Sequence, residues 1–129
     1  IDEKVSFKKL IKLQRCVAVA DGFYEWKRIE KEKTPYYFLR EDKKLIYIAG
    51  IYEEDQFCMI TEEASSNVTE IHHRQPVILN ESDVNKYLNI EISGSNYLKQ
   101  SQKSKLSFYE ISKDVNKPTN NNISLIQPI

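Results

Sequence analysis

Pro35-Tyr36-Tyr37-Phe38-Leu39-Arg40, Glu41-Asp42-Lys43-Lys44 and Leu45-Ile46-Tyr47-Ile48-Ala49-Gly50-Ile51-Tyr52 form the stretch that decides the fold. Its continuation, Glu53-Glu54-Asp55 and then Gln56-Phe57-Cys58-Met59-Ile60-Thr61, repeats the pattern. Aromatic and aliphatic residues fill each run, and the connections are short and charged. Runs of this kind suit a pleated, half-buried surface, and short polar connections join antiparallel neighbours. The stretch therefore predicts three consecutive strands in an antiparallel meander.

Working outward toward the N-terminus, Cys16-Val17-Ala18-Val19-Ala20 reads as a buried strand closed by an Asp21-Gly22 turn. Residues 23–28 continue as a second extended segment, residues 29–34 read as a charged loop, and Pro35 opens the next strand. Ser6 is placed to cap a short amphipathic helix in which Phe7, Leu10 and Ile11 share one face. Toward the C-terminus the pattern predicts a helical piece over 65–71, a strand over 76–79 and a helix capped by Asn80. Late strands are expected over 106–111 and 123–126, with an Asn-rich loop at 119–122. No repeat and no domain-scale linker interrupts the chain. The expectation is one α+β domain with a predominantly antiparallel sheet and short flanking helices.

Composition narrows the function classes. At 129 residues and 40% hydrophobic, the chain can bury one modest core. It carries 19 basic and 19 acidic residues, so the whole-chain basic footprint common among nucleic-acid binders is missing. Cys16 and Cys58 lie in apolar runs and read as buried free thiols, with a disulfide or a nucleophile as the alternatives. The longest apolar run, residues 45–51, is far too short to cross a membrane, so no membrane partner is expected. With no visible signal peptide, a cytoplasmic protein is the default, or a nuclear one in a eukaryote. A start at Ile1 rather than Met reads as a chain processed, trimmed or cut from something longer.

The chemistry gathers in two blocks. Ala20-Asp21-Gly22-Phe23-Tyr24-Glu25-Trp26 sets a carboxylate between two aromatic residues just after a tight turn. Glu70-Ile71-His72-His73-Arg74-Gln75-Pro76 offers imidazole and guanidinium beside a proline. A proton acceptor, a group titrating near neutrality and a phosphate-competent cation together suit acid/base work on a phosphate-bearing substrate. Each residue also has a plainer role. Glu25 can be a surface acid, and strand alternation turns it away from Tyr24 and Trp26. His72 can be structural, and Arg74 a solvated cation. Adjacent His72 and His73 face opposite ways on an extended chain, so no shared metal site is expected, and no cofactor is implied. Trp26, the one tryptophan, reads first as core and second as a stacking surface for a base.

The two blocks, with the ending Val115-Asn116 and Leu125-Ile126-Gln127-Pro128, resemble the signature of the SOS response-associated peptidase (SRAP) family of abasic-site processing proteins. The resemblance spans nearly all of residues 1–129 but matches only the C-terminal part of the family domain. It implies a barrel-like, mainly antiparallel fold. It also implies single-stranded DNA containing abasic sites as the partner, with the missing N-terminal half of the domain as a second one. Family members process their initiator Met and use the exposed N-terminal cysteine, which this chain lacks, to form a thiazolidine cross-link to the opened deoxyribose. By resemblance Glu25 and His72 are catalytic, Arg74 contacts DNA phosphate, and Trp26 and Thr61 lie along the DNA path. The chain departs from the pattern at His73, where relatives often carry Asp, and at Gln75, where the residue is often apolar. The fragment alone is expected to be inactive. Three other readings compete: a non-catalytic single-strand binding module, a cysteine hydrolase using Cys58 and His72, and a purely structural domain. The hydrolase is disfavoured because Cys58 sits mid-strand without an activating neighbour.

Overall fold

The computed structural model describes residues 5–100 and 105–129. Nine strands and three short helices are described: α1 (Val5–Leu13), β1 (Arg15–Ala20), β2 (Phe23–Ile29), β3 (Glu32–Arg40), β4 (Ile46–Glu53) and β5 (Gln56–Met59). They continue as β6 (Thr61–Glu63), β7 (Arg74–Pro76), β8 (Ile78–Leu79), α2 (Val84–Leu88), α3 (Gly94–Gln100) and β9 (Leu106–Glu110). Short 3-10 turns cover Ser66–Glu70, Glu81–Asp83, Lys113–Asn116 and Ile123–Ile126. Every strand pair described is antiparallel, and the molecule is α+β as the sequence implies. Among the described residues the sheets do not close, which corrects the barrel expected from the family resemblance.

β4 explains the layering. Ile46 and Ile48 point to one face, where Phe38, Leu106, Ile78, Val68 and Ile71 form a core between the two larger sheets. Ala49 and Ile51 belong to the opposite face, packed with Ile11 of α1, Tyr87 of α2 and Leu98 of α3. A strand covered on both faces reads as a continuous apolar run, which is why residues 45–51 show little alternation. The phenol of Tyr87, fully buried, donates to the Gly50 carbonyl at 2.7 Å and ties α2 to the sheet.

The meander is split. β4 pairs with β1, β5 and β8, whereas β3 pairs with β2 and β9 in a second sheet. Asp21-Gly22 is thus a corner between sheets, since β1 and β2 are not neighbours. Gly22 has no left-handed φ; instead a Cβ there would lie 2.3 Å from the Tyr37 ring and 2.6 Å from the Phe38 carbonyl oxygen. Close backbone approach, not turn geometry, demands the glycine. The charged segment expected as a loop over 29–34 is mostly strand. β2 and β3 run to a two-residue connection at Glu30 and Lys31, with Glu30 at φ 54°. Pro35 therefore lies inside β3, fully buried, with its carbonyl accepting from Ile111 at 3.1 Å. A proline is tolerated there because the β9 ladder begins only at Tyr36, opposite Glu110.

Other expectations shift at element ends. α1 begins at Val5, so Ser6 is inside the helix rather than at its cap; Phe7, Leu10 and Ile11 do share the core face. Asn80 holds the N-cap position of the turn before α2 without a side-chain capping bond. Residues 123–126 form a 3-10 turn capped by Asn122, not a strand, because Asn122 accepts from the Ser124 amide at 3.1 Å. β1 is only half-buried, with Val19 58% exposed. Both cysteines are free thiols, but Cys16 is half-buried and Cys58 is exposed. Cys58 escapes burial because it lies on β5, an edge strand whose four residues are all exposed. Among the described residues, no helix is long and apolar enough to cross a membrane.

Candidate active site

β2 is an edge of its three-stranded sheet, and its two faces carry different chemistry. Phe23 stacks on Phe38 on the inner face, and Glu25 follows on that same side by the alternation of the strand. Tyr24 and Trp26 lie on the other face, where a tyrosine ladder runs from Tyr24 through Tyr37 to Tyr109. Burial beside Asp21 pushes the Tyr37 phenol up to about 12. Burial also raises the Tyr109 phenol, which donates to the Ile126 carbonyl and holds the C-terminal segment against β9.

The segment after the 3-10 turn at Ser66–Glu70 brings His72 to the inner side of β2. Its Nε2 lies 3.8 Å from Glu25 Oε1, with the two side chains 32% and 26% exposed. The carboxylate is steadied by the Trp26 amide, 3.2 Å from the same oxygen. The other imidazole nitrogen, Nδ1, is 3.1 Å from both the amide nitrogen and the carbonyl oxygen of Arg74. A neutral ring with its proton on Nε2 accepts from that amide and points the proton toward Glu25. A protonated ring donates from Nδ1 to the carbonyl instead. The backbone of Arg74 thus offers a hydrogen-bond partner to either form of the ring.

His73 corrects an expectation. Its ring stacks on that of His72, with centroids 4.7 Å apart and planes at 22°. The segment is bent rather than extended, so alternation does not separate the neighbours. Arg74 is turned onto Thr61. Its Nη2 donates to the Thr61 carbonyl at 2.9 Å and to Oγ1 at 3.1 Å, and Nε approaches Oγ1 at 3.4 Å. Thr61 opens β6 rather than closing the preceding strand. Gln75, polar where an apolar residue fits the pattern, is buried; it accepts from the Ser65 amide and donates to Glu62.

Beside these groups lies a cleft of about 870 Å³, lined by Trp26, Arg28, Lys33, His72, His73 and residues 115, 116 and 118. Trp26 is in neither core cluster; it is half-buried and faces this cleft, against the expectation of core packing. The cause is Asn116, whose Oδ1 accepts from the indole nitrogen at 2.6 Å and fixes the ring plane. Three sequence blocks far apart in the chain therefore meet at one edge of one sheet. Asn116, Arg28, Lys33 and His73 carry no role in the sequence reading. Asn116 was visible only as a motif member, Arg28 stood at the end of the extended segment 23–28, and Lys33 was hidden in a segment read as loop. Among the described residues, no group of three or more His, Cys, Asp or Glu side chains is arranged to hold a metal ion.

Comparison with known proteins gives the site a context. The chain is 34% identical to the abasic site processing protein YMR114C of Saccharomyces cerevisiae, over 90% of this chain and 36% of that protein. It is 32% identical to the abasic site processing protein YoqW of Bacillus subtilis, over 98% of this chain and 63% of that one. Among solved structures, a protein from Bacteroides thetaiotaomicron superposes with a TM-score of 0.83 at 28% identity. That match covers 100% of this chain and 62% of the other. The chain thus spans less than two thirds of these relatives. The model of the family described as SOS response associated peptidase (SRAP) matches residues 1–118, and the chain belongs to that family.

Proposed function

We propose that this chain carries the acid/base part of a site that processes abasic sites in single-stranded DNA. The observation that carries the reading is the approach of Glu25 and His72, 47 positions apart in sequence (72 − 25), to 3.8 Å. The names of the relatives supply the substrate class.

An opened abasic deoxyribose presents an aldehyde. A terminal amine attacks its carbon once a base has taken the ammonium proton, and the resulting carbinolamine loses water when an acid protonates its hydroxyl. The thiolate of the same N-terminal cysteine then adds to the iminium carbon and closes a thiazolidine. Glu25 takes the first proton and His72 delivers the second, in the ordinary manner of general acid/base catalysis. The same pair serves removal of an initiator Met, strand cleavage by β-elimination and reversal of the link. Cys16 and Cys58 lie within the sequence and have no free α-amine, so neither is the nucleophile of this reaction. The nucleophile belongs to the N-terminal part of the SRAP domain. Arg74 holds the strand through phosphate, with Thr61 orienting its guanidinium, and Trp26 offers a face to a base.

The test uses the natural full-length protein with abasic single-stranded DNA. A denaturation-resistant adduct is expected, formed more slowly by the Glu25→Gln and His72→Ala variants, both with unchanged thermal melting. Wild-type adduct rates in both variants would overturn the assignment. A wild-type protein that binds abasic DNA but leaves no adduct favours the non-catalytic binding module instead.

A further inference from the structure

Arg28 on β2 and Lys33 on β3 are Cα partners in the antiparallel ladder. Side chains directly opposite each other share a face and come close, and two like charges in that arrangement repel. Both side chains are exposed and both line the 870 Å³ cleft. Neither has an ion pair or a side-chain hydrogen bond among the described residues. Among the described residues, the cleft lining includes these two cations and the stacked imidazoles and no carboxylate, the nearest being Glu25 behind His72. In a chain with 19 cations and 19 anions, two adjacent cations without an acidic partner are a local arrangement rather than a consequence of composition. On the same face, Trp26 stands opposite Pro35, two residues along the ladder from the pair, with its ring plane fixed by Asn116.

We propose that Arg28 and Lys33 clamp one backbone phosphate of a bound single strand, at the nucleotide whose base lies on Trp26. A phosphate between the two side chains converts their repulsion into two charge-assisted contacts. The planar Arg28 guanidinium can hold two phosphate oxygens, and Lys33 adds a point charge from the neighbouring strand. The indole supplies a flat, rigid, sequence-tolerant surface beside it. This contact is separate from Arg74, which is held on Thr61. It gives the strand a second anchor and a direction across the edge of β2. The inference rests on the DNA reading above.

The experiment measures binding of the protein to a single-stranded oligonucleotide carrying a stable tetrahydrofuran abasic analogue, by fluorescence anisotropy over a range of salt. The variants are Lys33→Glu and the double substitution Arg28→Gln with Lys33→Gln. Counterion release predicts that losing one phosphate contact flattens the plot of log affinity against log salt by about 0.7. The double variant should show that change, with several-fold weaker binding at low salt and convergence with the wild type at high salt. Lys33→Glu should melt at a higher temperature, because it replaces repulsion by a cross-strand attraction, while binding DNA more weakly. Replacing single linkages by methylphosphonate should reveal one position that weakens the wild type but not the double variant. If the wild type binds with a clear salt dependence and both variants keep its slope and affinity, the clamp is wrong and the DNA reading survives. A wild type with no salt-dependent binding overturns the DNA reading and the clamp together.

Discussion

Arg74 shows how much a side chain's surroundings add to its identity. Its guanidinium is already oriented by three contacts to Thr61, through Nε and Nη2. A cation fixed before it meets phosphate loses less conformational freedom on binding than a free one. Two substitutions separate charge from orientation. Arg74→Ala removes the charge, so affinity for single-stranded DNA should fall and the salt plot should flatten by about 0.7, the value for one single-strand phosphate. Thr61→Ala removes the Oγ1 acceptor but keeps the carbonyl contact, so it should weaken binding less and leave the slope unchanged. Anisotropy titrations at four or more salt concentrations distinguish them. Equal slopes for Arg74→Ala and wild type would remove Arg74 from the phosphate path.

At the scale of elements, the corner at Gly22 decides where the site is. It takes the chain from β1 in one sheet to β2 in the other, and so sets Glu25 against the His72 segment. Gly22→Ala forces a Cβ to within 2.6 Å of a backbone oxygen, and a backbone contact cannot rotate away. Overpacking of this kind costs about 1–3 kcal/mol, so urea unfolding should show a lowered midpoint with an unchanged slope. A variant as stable as wild type would mean that the corner relaxes freely. This corner also marks what the sequence could not reveal. Apolar runs identified most strands, because alternation and burial are local signals. Which strands become neighbours depends on long-range packing, so β3 and β4 looked like a hairpin pair and lie in different sheets. The charged segment 29–34 looked like loop because its strand character comes from pairing across β2 and β3, not from apolar side chains. Glu25, His72, Arg74 and Trp26 were legible as motif residues. Arg28, Lys33 and Asn116 were not, since their proximity exists only after the hairpin and the C-terminal segment have folded.

The whole molecule has two properties that no single element shows. One is alkaline sensitivity. Tyrosines on different elements hold their protons more tightly than the ordinary value of 10.0: Tyr37 and Tyr97 are each pushed up to about 12, and Tyr87 and Tyr109 are also raised, burial being the main cause in each. Between pH 10 and about 12 the folded chain therefore keeps protons that the unfolded chain releases. Stability is intact below pH 10 and falls as pH rises through that window. Thermal melts should show a declining midpoint across it, with tyrosinate absorbance appearing together with unfolding; a flat midpoint up to pH 12 would contradict this. The second property is an apolar flank left exposed among the described residues. β5 is an edge strand, and Phe57 and Met59 remain 48% and 43% exposed on it beside the half-exposed Tyr52. An apolar edge with free backbone groups is a template for another strand or segment. The Bacteroides thetaiotaomicron structure, of which this chain covers 62%, contains further chain beyond the match. We expect the N-terminal part of an SRAP domain to cover β5 and to bring the nucleophilic cysteine. Added in trans or fused to this chain, that part should raise hydrogen-exchange protection of the β5 amides and restore adduct formation with abasic DNA. A polypeptide made as residues 1–129 only, with Ile1 at its N-terminus, should form no thiazolidine, because ring closure needs amine and thiol on one residue. A stable adduct formed by this chain alone and mapped to Cys16 or Cys58 would show that the chemistry proposed for Glu25 and His72 is wrong.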